Sequence, residues 1–530
     1  MADISKLIGF FKTADINNDN KISGQEFNDA KASSKLNSVW GQCLQEGMTK
    51  DDFIMGCQLE HSQEIPKQEQ SKAETPFKKD DLRAPATIGE RKTTIAKSIQ
   101  DIPQFGPNKD ARFYDISSVN LSSEELLDLT IDDTTVMSDS QKKIVSDATE
   151  NMKNPGLGIS QLHEQGITGK GVTIAIIDQP LEDHKEYSNN IINYKEIGFD
   201  KTEDDKSSMH GPSVTSLAVG KNIGVAPDAK VSYYAAKNAI STPTKDDVNE
   251  RIKYLQSLSS SAKDDKTKTW ANEKITYLQG EMTKYDNHIA ELQQKIRNSD
   301  SDTEKTQLQD DLTKYTEKNK SGVPYLTTNK SHITALNDIL EQNKQLPKDK
   351  QISVVSISWG FDQASPDYPE LQRTLDKAKK EGVFVVYTDI DRTYGDMRFA
   401  GANRNPSLDV DNPGSYEAAS WWKDTGEKTP KEEKDKLLLV PMNHRTVADY
   451  KSTTGYRYEG NNGGMSWAAP YLAGNYSLAK QVNSQITPEQ FFKLALDTSD
   501  ECHNSSSGVY VGRIINPQKL IKAVKTEKLE

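Results

Sequence analysis

The strongest constraint on the fold is a rhythm of apolar runs. VTIAIID (172–178), KVSYYAA (230–236), ISVVSISW (352–359) and GVFVVYTD (382–389) are short, nearly continuous and rich in β-branched or aromatic residues. Between them lie stretches of helical period, such as SHITALNDILEQNKQ (331–345) and PELQRTLDKAKKEG (369–382). Strands without polar alternation must be buried on both faces, and a parallel sheet with helices on either side provides that burial. The rhythm predicts an α/β domain beginning near residue 155, with a parallel sheet covered on both faces.

One interruption breaks it, between about 244 and 327. Ile275, Leu278, Met282, Tyr285, Ile289, Leu292 and Ile296 recur at alternating spacings of three and four, which makes an apolar seam along one helix. After the polar RNSDSD come Leu308, Leu312 and Tyr315 at helical spacing. An antiparallel helical hairpin inserted into the α/β domain is expected. It is either a self-packed protrusion or a docking arm for a protein partner or substrate.

Composition bounds the rest. With 530 residues and a mean hydropathy of -0.77, long polar tracts must dilute ordinary cores. Residues 1–60 have helical periodicity, 61–110 form a polar, proline-containing linker, and 111–154 resemble an extension packed on the α/β domain. The formal net charge of -12 argues against a nucleic-acid or anionic-membrane surface. Three cysteines, Cys43, Cys57 and Cys502, suffice for neither a disulfide framework nor a zinc cluster. The start, MADISKLIGFFKTAD, lacks the pattern of a secretory signal, and no apolar run reaches a membrane span, so a cytoplasmic location or export by another route is expected.

Near the N-terminus stands DINNDNKISGQE. Asp15, Asn17, Asp19, Lys21 (through its carbonyl), Ser23 and Glu26 occupy positions 1, 3, 5, 7, 9 and 12 of a twelve-residue loop. That spacing gathers oxygens around one point, as a hard Ca²⁺ ion requires. The segment resembles an EF-hand, with Asn20 where the family has glycine; asparagine tolerates the left-handed backbone needed there. Ca²⁺ is therefore the expected cofactor, although an Asn/Asp-rich turn of this kind also occurs without metal.

Catalytic chemistry is carried by three separated motifs. VTIAIID ends in Asp178 at a strand's C-terminal end, MHGPSVTSLAVG opens a helix at His210, and GGMSWAAPYLAG holds Ser466 between glycines and small residues. A serine hydroxyl is a poor nucleophile until an imidazole takes its proton, and a carboxylate can orient that imidazole. In these residues the chain resembles the subtilases, the subtilisin-like serine endopeptidases, whose catalytic residues follow in the order Asp, His, Ser. GITGKGVTIAIID (166–178), IGVAPDAKV (223–231) and GRIINPQKLIKA (512–523) also resemble family segments, and the HGP and GGMSWAAP variants resemble a bacterial branch. The resemblance spans about 155–525 and implies Asp178, His210 and Ser466 as the catalytic triad. It also implies a buried helix after Ser466, with Pro470 in the first turn.

The same resemblance implies that SISWG, with Ser358, Trp359 and Gly360, pairs its backbone with an extended peptide substrate. The family's oxyanion asparagine aligns with Asp391, where a carboxylate donates a hydrogen bond only when protonated. Three accounts stay open: a neutral Asp391, a donor among Thr388, Arg392 and Thr393, or an alignment offset by a residue or two. Asp389 and Asp391 would favour a basic side chain next to the scissile bond. Two functions therefore compete: a calcium-binding serine endopeptidase, and a weak or inactive subtilase fold that serves as a calcium-responsive scaffold.

Overall fold

In a computed structural model the described residues are 77–87, 92–105, 108–199, 206–389, 394, 396–460 and 464–527. The chain divides into two compact units, Met1–Pro76 and Phe77–Glu530. The expected calcium loop, Asp15–Glu26, lies outside the described residues, as does Asp391.

Five strands form an all-parallel sheet: β1 (Thr173–Asp178), β2 (Ile191–Ile197), β3 (Lys230–Ala236), β4 (Val354–Ile357) and β5 (Phe384–Tyr387), in the order β5-β4-β1-β3-β2. Four of them are the apolar runs of the sequence; their side chains are buried almost throughout because helices cover both faces. The edge strand β2 was not anticipated. Its IINYKEI mixes exposed and buried positions, so it lacks the continuous apolar signature of the inner strands.

A second, mixed sheet was also unanticipated. It contains β6 (Arg398–Arg404), β7 (Tyr416–Ala418) and β8 (Leu437–Pro441), together with β11 (Asp500–His503) and β12 (Tyr510–Ile514). Their order is β7-β6-β8-β12-β11. Between β8 and β11 come a hairpin of β9 (Arg445–Ala448) and β10 (Tyr456–Glu459) and the helix Gly464–Val482. That helix touches strands of both sheets, and Trp467 to Ala479 are all buried.

The helices that concern the site and the insertion are α1 (His210–Val219), α2 (Lys245–Ser261), α3 (Asp265–Asn298), α4 (Asp302–Lys318), α5 (Lys330–Gln345), α6 (Tyr368–Lys380) and α7 (Gly464–Val482). Helices α5 and α6 occupy the two stretches of helical period picked out from the sequence. The insertion, expected as a two-helix hairpin, has three helices, α2 to α4. The seam on α3 is long enough to serve two partners. Its first half, with Ala271 and Leu278, shares a small core with Val248, Ile252 and Leu255 of α2. Its second half reaches α4, where Tyr285 and Tyr315 stack at 5.5 Å between ring centroids.

Residues before 155 are built into this unit. Ala96, Ile102, Ala111, Ile116, Leu126 and Leu129 form a small core of their own. Leu127, Ala148 and Met152 pack against Val410 and Tyr458. Residues 92–105, expected to be linker, thus contribute Ala96 and Ile102 as fully buried side chains; short strands between polar residues carry no visible period. Among the described residues no helix is long and apolar enough to cross a membrane.

Candidate active site

Strand β1 delivers Asp178 at its C-terminal end, where groups collect in parallel sheets. Pairing of Ile357 with Ile177 makes Ser358 and Asp178 the next residues along their two strands. Helix α1 starts at His210, and it can approach β1 closely because Gly211 has no side chain. A Cβ there would lie 2.2 Å from the Gln179 carbonyl oxygen and 2.6 Å from the Tyr233 hydroxyl, which itself donates to that carbonyl. The HGP glycine is therefore a spacing requirement.

The approach brings His210 Nδ1 to 2.7 Å from Asp178 Oδ1, which also accepts from the Gln179 N–H at 2.8 Å. With Asp178 ionised, Nδ1 carries the proton and Nε2 keeps its lone pair. Burial alone pushes the imidazole down. The charge and hydrogen bond of Asp178, helped by Glu459, outweigh it and raise His210 above its ordinary value. The His210 ring lies 5.3 Å from Trp467, the residue after the candidate nucleophile.

Gly464 opens α7 at φ 53°, a left-handed conformation that suits glycine, and Ser466 follows in the first turn. Its N–H is among the donors that a helix start leaves without an intrahelical partner. Pro470 is not in the first turn, as the resemblance implied, but inside the helix. Without an N–H it cannot serve the carbonyl four residues back, that of Ser466. The Ser358 hydroxyl takes over and donates to this carbonyl at 2.7 Å. In return the Ser466 hydroxyl donates to the Ser358 carbonyl at 3.3 Å. Neither role of Ser358 was foreseen, because the proline and the serine that answers it lie far apart in sequence.

Asp178 and His210 thus meet, while Ser466 and His210 line one cavity of about 250 Å³ without a mutual hydrogen bond. Rotation of the serine hydroxyl from the Ser358 carbonyl toward Nε2 would complete the relay, and catalytic hydrogen bonds commonly tighten only when substrate binds. Glu459, ion-paired to Arg457 at 2.7 Å, walls the same cavity. So do Arg112 and Thr130 of the extension, which no motif had marked. Leu127 is held close by: its carbonyl would lie 2.3 Å from a Cβ at Gly460.

Trp359 packs on the core, whereas Gly360 is exposed, and no hydrogen bond among the described residues uses its backbone. Asp389 is exposed near the end of β5. His184 and His444 are buried and bonded to the Gly455 carbonyl and the Tyr458 hydroxyl, respectively. Among the described residues no group of three or more His, Cys, Asp or Glu side chains is placed to hold a metal ion.

A doubly covered parallel sheet with an acid–imidazole pair and a hydroxyl at its C-terminal edge defines the class. The model of the subtilase family matches residues 169–513, and the chain belongs to that family. No curated protein matches the chain. Among the solved structures similar to it are two toxin chains. One comes from work on the structural basis of subtilase cytotoxin SubAB assembly, at 12% identity over 70% of this chain and 95% of that one, with a TM-score of 0.39. The other is the A-subunit of the AB5 toxin from E. coli, at 12% identity over 70% and 98%, with a TM-score of 0.36.

Proposed function

We propose that the protein is a serine endopeptidase acting through Asp178, His210 and Ser466. The observation that carries this reading is the 2.7 Å contact of Asp178 with His210, with Ser466 in the wall of the same cavity. A peptide would lie extended along Ser358, Trp359 and Gly360, its carbonyl carbon above Ser466. As Oγ attacks, His210 Nε2 takes its proton, and the imidazolium is stabilised by Asp178. The developing oxyanion is met by the Ser466 N–H and by a second donor at or near Asp391. His210 then protonates the leaving amine, and water admitted to the acyl-enzyme repeats the sequence to release the acid.

Ca²⁺ would be held by Asp15, Asn17, Asp19, the Lys21 carbonyl, Ser23 and Glu26, with a folding or regulatory role separate from the chemical step. A fluorophosphonate probe tests the central claim, because it reacts only with an activated serine. Labelling that Ser466→Ala abolishes is expected, with and without calcium. A folded wild-type protein that stays unlabelled would overturn it. One observation favours the second reading, an inactive subtilase-fold scaffold: the Ser466 hydroxyl is turned to the Ser358 carbonyl instead of to His210.

A further inference from the structure

The inserted helices do more than pack on themselves. Between α2, the start of α3, residues 323–327 and residues 361–364 lies a cleft of about 1110 Å³. Its walls carry Tyr254, Trp270, Tyr277, Tyr325 and Phe361. Tyr277 is 54% exposed and Tyr325 60%, an unusual allowance for large rings on a chain this polar.

Charge in the cleft is one-sided. Its carboxylate, Asp362, is neutralised by Arg251 at 2.5 Å, and Arg251 also donates to the Thr327 carbonyl. That leaves Lys266 and Lys274 lining the cleft with no ion pair among the described residues. The Arg251 Nε is buried without an acceptor. A basic, aromatic cleft on a chain of net charge -12 stands against its own background.

Its position supplies the occupant. Phe361 follows directly on Gly360, the exposed end of the segment proposed to hold substrate, and it is fixed by its ring contact with Tyr387 at 4.7 Å. An extended chain advances about 3.3 Å per residue, so a peptide paired at Gly360 reaches the cleft within a few residues. We propose that this cleft is a secondary recognition site for an acidic stretch of the polypeptide substrate, away from the scissile bond. Carboxylates would meet Lys266 and Lys274, and apolar or aromatic side chains would lie on Tyr277 and Tyr325. This rests on the endopeptidase reading for the identity of the occupant, but its binding test is independent of turnover.

The test uses the full chain carrying Ser466→Ala, which cannot turn over. Two fluorescent peptides of about a dozen residues, long enough to span both sites, share one sequence except that glutamates in one are lysines in the other. Fluorescence anisotropy should show tighter binding of the acidic peptide, weakening as salt is raised. Lys266→Glu with Lys274→Glu should weaken it about tenfold and erase the preference, because both exposed cations are then replaced by charges that repel the glutamates. Tyr277→Ala, on an exposed ring, should weaken both peptides and guards against a misfolded charge variant. Equal binding of the two peptides, or an acidic peptide indifferent to the charge reversal, overturns the proposal. Fluorophosphonate labelling of the wild type reports on the triad separately, so failure of one reading is not failure of the other.

Discussion

The Ser358 hydroxyl stands in for an N–H that Pro470 cannot supply: it donates at 2.7 Å to the Ser466 carbonyl, the atom that the helix interior leaves without a partner. The residue that follows strand β4 is thereby tied to the backbone of the candidate nucleophile. Ser358→Ala strands that carbonyl, and a loss of about 1–3 kcal/mol in urea unfolding is expected. In a Pro470→Ala background the new N–H serves the carbonyl, so the same substitution should cost markedly less. Equal costs in both backgrounds would refute the substitution of one donor for another.

A second prediction concerns pH. His210 must be neutral to accept a proton, and Asp178 raises it above its ordinary value despite burial. The acid limb of kcat/KM should therefore lie above the ~6.5 of a free imidazole, with activity rising as pH increases through it. The stability linkage has the opposite sense. A raised folded-state value contributes stability that is fully present below ~6.5 and is lost as pH rises through the folded value. Asp178→Asn removes the larger raising influence and leaves burial opposed by Glu459 alone, so the limb should move to lower pH while the rate falls by about 10⁴. A limb that stays in place would show that Asp178 does not govern the imidazole.

A third concerns Asp391. An ionised carboxylate beside the developing oxyanion opposes it, whereas an amide donates. Asp391→Asn should raise kcat at neutral pH and flatten any gain seen on acidification above the His210 limb. A large fall in rate would mean that the carboxylate has another task.

A fourth concerns a buried charge away from the site. Arg445 is fully buried over the Tyr471 ring, none of its guanidinium nitrogens has a hydrogen-bond acceptor among the described residues, and Arg404 lies near enough to repel it. Burial, then Arg404, pushes it down to about 9. An isosteric apolar side chain removes both penalties, so Arg445→Met should stabilise the protein by about 1–4 kcal/mol in urea unfolding. A loss instead would indicate a compensating anion beside the guanidinium.

Much of the parallel sheet was legible because continuous apolar runs admit few alternatives. Asp178 and His210 could be read from their motifs, and the structure brings them together. Edge strand β2 and the second sheet were not legible: IINYKEI and RFAGANR mix polar and apolar residues in ways that loops share. The seam of α3 announced a partner but not how many, since both α2 and α4 satisfy it. Arg112, Thr130 and Glu459 enter the cavity wall only through tertiary contacts, which a one-dimensional pattern does not encode.

The close seating of Leu127 on Gly460 bears on where a working fragment can begin. The match to the family model starts at 169, yet residues well upstream brace the strand end that leads into the serine helix and border the cavity itself. Trimming the chain to the matched region would bare the Val410 and Tyr458 surfaces and unseat one rim of the cavity. The folded unit is thus longer than its recognisable part, and recombinant fragments should retain the chain from Phe77 onward.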